Sequence, residues 1–377
     1  MKSILDEIRI LRNEENLNID RNNINRYRVI INEKDGTKTS YYFSTPIYNI
    51  HTKKVVDLKF RQEEDGIVLN GSNTQVVIKD TVLLNGLEGS CQITLAGIQQ
   101  SIHEQRICYD WFDLLPTTNG IAYKVFTDGL QSIELELEVS IPFLNVNSNN
   151  KCFALMKEKF LPFITISCIG TLDETNQIIA PALIEYQKIN DKKYRMVVSS
   201  CSKFGSSVLF EVNMYESKLI QDTTVESRNP EMNNAFGSAA FVGQTDEFGE
   251  QWLYTRPLFS SFSELVEQRQ DKVVLHIPKY SFVDDKVDLY KIISRFCSFG
   301  ANWKNKITVA NYITNSIQKN GYLSFNITGF VSELQKHYFV RSDGMVLKPI
   351  AKERFPIVIA TADSYYRPQI LEIKSKY

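Results

Sequence analysis

Hydrophobic and polar residues alternate in short runs along most of this chain, the two-residue period of half-buried strands. The cleanest run is 131–139, where Ile133, Leu135, Leu137 and Val139 form one face and Glu134, Glu136 and Glu138 the other. Comparable runs stand at 26–31 and 39–43, joined through a turn at Asp35-Gly36, and at 67–69, 74–78, 91–95 and 121–126. Further on, 163–169 reads as a buried strand, with similar strands at 194–199 and 208–212. The start of the chain breaks this period. Ile4, Ile8 and Leu11 recur at helical spacing and Ser3 is placed to cap, which predicts a short N-terminal helix. Such a helix is marginal alone in water and needs a partner surface, either its own domain or a neighbouring subunit.

The expected fold is therefore all-β: β-sandwich domains, the C-terminal one jelly-roll-like, with a short N-terminal helix. At 377 residues two domains are expected. The divisions read from the pattern are 1–20 for the helix and candidate attachment segment, 21–216 for a β-rich body, and 217–377 for a second sandwich. The polar stretch NVNSNN at 145–150 is the best linker within the body, which leaves open one domain or two there.

Composition narrows the function classes. Lys and Arg number 43 against 44 Asp and Glu, for a net charge of −1, with no long run of either sign. That balance argues against a nucleic-acid binder held by counterion release. No run approaches the ~18 apolar residues of a membrane-spanning helix, so no membrane insertion is expected. Residues 1–20 lack the apolar centre of a signal peptide, so cytoplasmic synthesis is expected. The six cysteines, at 91, 108, 152, 168, 201 and 297, form no C-x-x-C pair and match no zinc spacing. They read as free, mostly buried thiols.

The chain carries no nucleophile elbow, no H-E-x-x-H, no phosphate loop and no dinucleotide fingerprint. No catalytic residue, metal ligand or cofactor is expected. His51, His103, His276 and His337 have no neighbours suited to base or metal duty, and His276 reads as a core or flank residue. The glutamate face at 134–138 reads as a solvated strand face that resists edge pairing. The acidic group Asp284, Asp285 and Asp288 is interrupted by Lys286 and reads as a solvated loop rather than a calcium site. Among the aromatic residues, Trp111, Trp252 and Trp303 are the three tryptophans. Flat rings stack on sugars and anchor interfaces. Trp303, Tyr365 and Tyr366 fall at predicted loops or strand ends and are the candidate glycan or interface contacts; core packing is the plainer role for each.

The last 160 or so residues also carry an ordered series of motifs. Asn229-Pro230-Glu231-Met232-Asn233-Asn234-Ala235-Phe236-Gly237-Ser238 follows a strand at 223–226. Ser324 to Val331 leads from a strand into a short helix, Gly344 to Pro349 forms a G-x-x-L-K-like strand, and Pro368-Gln369-Ile370-Leu371-Glu372-Ile373 closes the chain. The series resembles the DNRLRE domain family of β-sandwich surface modules. Val309 stands where that family has a second tryptophan, and Asn326 where aspartate is common. The run 121–141 is similar to N-terminal domains of phage baseplate upper proteins. The resemblance implies binding and display on large assemblies, not chemistry.

The resulting expectation is a structural, non-enzymatic component of a phage virion or phage-tail-like particle: fibre, baseplate or head decoration. Its partners would be other particle subunits, itself in a homo-oligomer, and a host-surface glycan. Two alternatives share the fold, a carbohydrate-binding surface module of a bacterium and a polysaccharide-degrading enzyme.

Overall fold

The computed structural model describes residues 3–64, 66–94, 100–103, 106–109, 112–127, 132–142, 145–267, 270–281, 286–293, 297–337, 344–350 and 356–375. Trp111, Asp284 and Asp285 lie outside them, as do Leu95 and Gln131 at the ends of predicted strands. The fold is all-β with a short N-terminal helix. Four antiparallel sheets make up two sandwiches.

The first sandwich pairs an eight-stranded sheet with a nine-stranded one. The eight-stranded order is Ala182–Lys188, Lys193–Ser200, Ser132–Val139, Gly89–Thr94, Val82–Gly86, Gln75–Ile78, Gly66–Asn70 and Arg61–Glu63. The nine-stranded sheet centres on Gly120–Phe126, Ser207–Met214 and Leu161–Leu172. Both inner faces feed one core, in which Leu135, Leu137 and Val139 meet Phe153, Phe210 and Val212. The outer face of 132–139 is wet, and Glu136 pairs there with Lys193 across the strands. The stretch read as a linker is an edge strand, Asn145–Ser148, in a hairpin with Cys152–Glu158. Val146 packs against the core, and Asn149 Oδ1 accepts from the Lys151 and Cys152 amides, so a polar-looking run closes a turn.

The second sandwich pairs six strands with seven. The six-stranded order is Arg28–Asn32, Lys38–Phe43, Ile370–Ser375, Gln270–Pro278, Tyr322–Asn326 and Ile317–Lys319. The opposing sheet runs Val309–Asn315, Val287–Ile292, Met345–Pro349, Gly249–Pro257, Ala239–Thr245 and Ile357–Ala360, with Ile220–Glu226 also on Gly249–Pro257. Helix Thr328–Gln335 contributes Phe330, Val331 and Leu334 to the core. Asn326 Oδ1 accepts from the Thr328 amide at 3.1 Å, which starts that helix. The sequence reading groups 28–43 with the body; hydrogen bonding joins this hairpin to the last strand, with Phe43 opposite Ile370 and Lys38 opposite Ser375. An early hairpin and the last described strand thus lie side by side in one sheet.

Helix Leu5–Arg12 lies on that sheet. Ser3 Oγ accepts from the Leu5 amide, and Asp6 Oδ2 accepts from the Ser3 amide at 2.7 Å, a reciprocal cap. Asn13 in the left-handed conformation ends the helix. Ile4, Ile8 and Leu11 are buried against Val29, Tyr41, Phe43 and Ile370, and Arg12 holds Glu33 through two nitrogens. The apolar stripe of this helix is occupied within the chain.

Candidate functional site: the seam between the sandwiches

Alternation along Ser207–Met214 creates a second buried face. Val208, Phe210, Val212 and Met214 point into their own core, which leaves Leu209, Glu211 and Asn213 facing the other way. All eight residues of this strand are nevertheless buried, because the second sandwich covers that face. Across the seam, Ala240 and Val242 enter the second core while Ala239, Phe241 and Val358 meet Leu209, Ile169 and Leu172. The sheets approach closely at Gly170, whose φ of +156° sits at a bulge; a Cβ there would meet Ile178 Cγ2 at 2.5 Å and Phe241 Cζ at 3.3 Å.

The seam is rich in titratable groups. Lys151, 5% exposed in its side chain, pairs with Glu226, which is 0% exposed; this ion pair links the first sandwich to the second. The ammonium also stands 3.8 Å from the centre of the Phe248 ring. Glu226 further accepts from Asn229 and Gln251 at 2.8 and 2.9 Å. Burial pushes the Lys151 ammonium down and Glu226 pulls it back up. Glu211 accepts from the Tyr366 amide at 3.0 Å, and burial pushes its carboxyl up to about 7 against the pull of Ser238 and that amide. Asp363 pairs with Lys218, while burial and the charge of Asp363 push Asp222 well above the carboxylate range. Asp222 Oδ2 meanwhile accepts from the Ala362 amide and from Gln369 Nε2 at 3.4 Å.

Two cavities open along the seam. One, of about 210 Å3, is walled by Tyr215, Phe236, Phe299 and Phe160 around Lys218, Asp222 and Asp363. Its charges are matched internally. The other, of about 400 Å3, has an aliphatic floor of Leu115, Leu172, Ile178 and Leu209 from the nine-stranded sheet. Tyr280, Tyr366, Lys279 and Arg367 close it from the second sandwich, and Lys124, Asp113 and Asn176 from the first. A concave, largely apolar wall with a few converging polar groups is the ordinary form of a ligand site.

The three sequence-predicted contact residues fall in different places. Tyr366 lines the larger cavity. Tyr365 is 1% exposed, and its hydroxyl accepts from the Glu216 amide at 2.9 Å. Trp303 lies elsewhere, on the outer face of the seven-stranded sheet, half-buried 5.0 Å from Trp252. Lys306 sits 4.0 Å over its ring and Lys348 4.0 Å over that of Trp252. Among the described residues, Tyr312, 54% exposed and edge-on to Tyr290, offers a large open ring on that face. His276 is a buried strand residue whose Nδ1 faces Ser324 Oγ at 2.8 Å and whose Nε2 faces Glu372 at 2.9 Å. The motif asparagines are structural: Asn233 donates to the Ser298 and Ala301 carbonyls.

Among the described residues, no group of three His, Cys, Asp or Glu side chains is placed to hold a metal ion. None of their helices is long and apolar enough to cross a membrane. All six cysteines are free thiols, three buried and Cys297 exposed. Sequence reasoning missed Lys124, Lys279, Arg367 and Glu211; they sit on separate strands and loops, with no local spacing to betray them. Compared with known proteins, the chain matches no family model. No curated protein matches it either.

Proposed function

We propose that this protein is a structural, non-enzymatic component of a phage virion or phage-tail-like particle, which carries its sandwiches outward for assembly and host-surface contact. The observation that supports this reading most is the closure of the chain on itself. The N-terminal hairpin pairs with the C-terminal strand along six residue pairs, Lys38–Ser375 to Phe43–Ile370, and the N-terminal helix caps that junction. A sheet knit from strands far apart in the chain opens less readily than a local hairpin, which suits display in an unprotected setting. The resemblance of the last 160 residues to DNRLRE surface modules points the same way, as does the place of Tyr366 on a ligand-sized cavity.

The test is mass spectrometry of purified particles from the host strain, with antibody labelling in electron micrographs. The chain is expected in stoichiometric amount at one position of the particle. Absence from particles, with the protein recovered on the bacterial surface and holding glycan, would replace this reading with a carbohydrate-binding surface module.

A further inference from the structure

Residues that close a turn are ordinarily polar or glycine, because they serve solvent and backbone geometry rather than a core. One end of the first sandwich departs from this. Leu87 sits at the tip of the turn between Val82–Gly86 and Gly89–Thr94 and is 64% exposed. Phe160 and Leu161 close the hairpin of Cys152–Glu158 with Leu161–Leu172 and are 50% and 39% exposed. Ile141, just past Ser132–Val139, is 39% exposed. None of the four belongs to a core. The three turns are bound to one another. The Ser90 amide donates to Ser140 Oγ at 2.8 Å, the Ser140 amide donates back to the Ser90 carbonyl at 2.9 Å, and Lys157 pairs with Glu88. A Cβ on Gly89 would meet Ser140 Oγ at 2.9 Å and the Phe163 ring at 3.3 Å, so the turns touch. From the second sandwich Phe299 braces Phe160, with ring centres 4.8 Å apart.

A cluster of exposed apolar side chains fixed on a rigid scaffold marks an interaction surface. Its polar surround says which partner fits. Glu88 and Glu158 stand there with Lys157 and Lys159, two charges of each sign. A partner surface of one sign would be repelled by one pair or the other, whereas a copy of the same surface can match both. From this arrangement we infer that the three turns form the interface of a two-fold dimer of this chain. Across a two-fold axis every pair of residues meets twice, once in each direction. Glu158 of each copy faces Lys159 of the other, on either side of the two Phe160 rings, and Leu87 and Ile141 complete the apolar centre. The opposite end of the sandwich stays open. Strand Ser207–Met214 runs to it from the interface end, where the Tyr215 amide donates to the Phe163 carbonyl at 3.0 Å, and Phe204 stands at that far tip, 76% exposed.

The inference rests on the assembly part of the proposed function and fails separately from it. A dimer absent from particles would leave the interface standing, and a monomer found in particles would leave the function standing. Sedimentation velocity of the full-length chain over a range of concentrations is expected to show a monomer–dimer equilibrium. Leu87→Asp and Phe160→Asp should each weaken the dimer about ten-fold or more, while Phe204→Asp at the far end should leave it unchanged. Circular dichroism and a melting curve check that each variant is folded. Glu158→Lys and Lys159→Glu each set like charges against one another across the axis and should each weaken the dimer. Mixing those two variants in equal amounts should restore it, because opposite charges then face one another. A wild-type chain that stays monomeric at every concentration would overturn the inference and leave the patch to a different subunit. So would a dimer that survives both aspartate substitutions, or charge variants that stay monomeric when mixed.

Discussion

The two cores and the seam between them are built from the same strands but on opposite principles. Inside each sandwich the facing side chains are almost wholly apolar, as where Phe210 stacks on Tyr123 with ring centres 5.0 Å apart. On the other face of the same strand, one residue along, stands Glu211. The seam holds Lys151 with Glu226, Lys218 with Asp363, and the buried carboxyl of Asp222 beside them. Apolar burial gives stability without direction. A buried charge pair adds little net stability, yet removing one partner is costly. The cores therefore make the sandwiches, and the seam fixes how they meet.

Breaking a core should cost most. Phe210→Ala removes a ring that is 0% exposed and is expected to cost about 3–5 kcal/mol, read by chemical denaturation. Breaking the seam should follow closely. Lys151→Met strands the Glu226 carboxylate in the interior and should cost about 3 kcal/mol, and adding Glu226→Gln should recover much of that loss. If the single and double variants melt alike, the pair does not join the sandwiches.

A subtler contrast is in pH. The Glu211 carboxyl ionises near 4.5 when unfolded and is pushed up to about 7 by burial in the fold. Between those values the unfolded chain holds fewer protons, so stability should fall as pH rises from about 4.5 to 7 and then level off. Glu211→Gln should flatten that slope and stabilise the protein at neutral pH. On the six-stranded sheet the sign is opposite. Burial pushes Glu372 up, but His276 and Lys272 outweigh it and bring the carboxyl down to about 2. Its contribution should be lost as pH falls from about 4.5 towards 2. Melting curves of Glu211→Gln and Glu372→Gln across this range separate the two. The smallest effect is expected at the exposed face, where Trp303→Ala should cost about 1–2 kcal/mol from its contacts with Trp252 and Lys306.

The strands were legible where one face is wet. Runs such as Lys38–Phe43 and Ser132–Val139 lie within a residue or two of their expected bounds. Val82–Gly86 and Phe112–Pro116 were not read, because VLLNG and FDLLP show no two-residue period. Ser207–Met214 shows why pattern alone understates a strand buried on both sides: Glu211 and Asn213 look like a solvent face and are seam residues. Asn145–Ser148 was hidden by composition, since asparagines serve turns and edge strands as readily as linkers. Of the larger cavity's lining, Tyr366 was legible as an aromatic residue at a predicted loop or strand end, whereas Tyr365 is buried away from it. Its cationic rim was not, because Lys124, Lys279 and Arg367 meet only after the sandwiches stack.

The claim that buried charge pairs fix how the two sandwiches meet is tested most directly by hydrogen exchange on the wild type and on Lys151→Met. Faster exchange is expected in the variant at 149–152, 224–226 and 248–251, which surround the pair, and no change at 303–312 on the outer aromatic face. Unchanged exchange at those seam segments would contradict the claim.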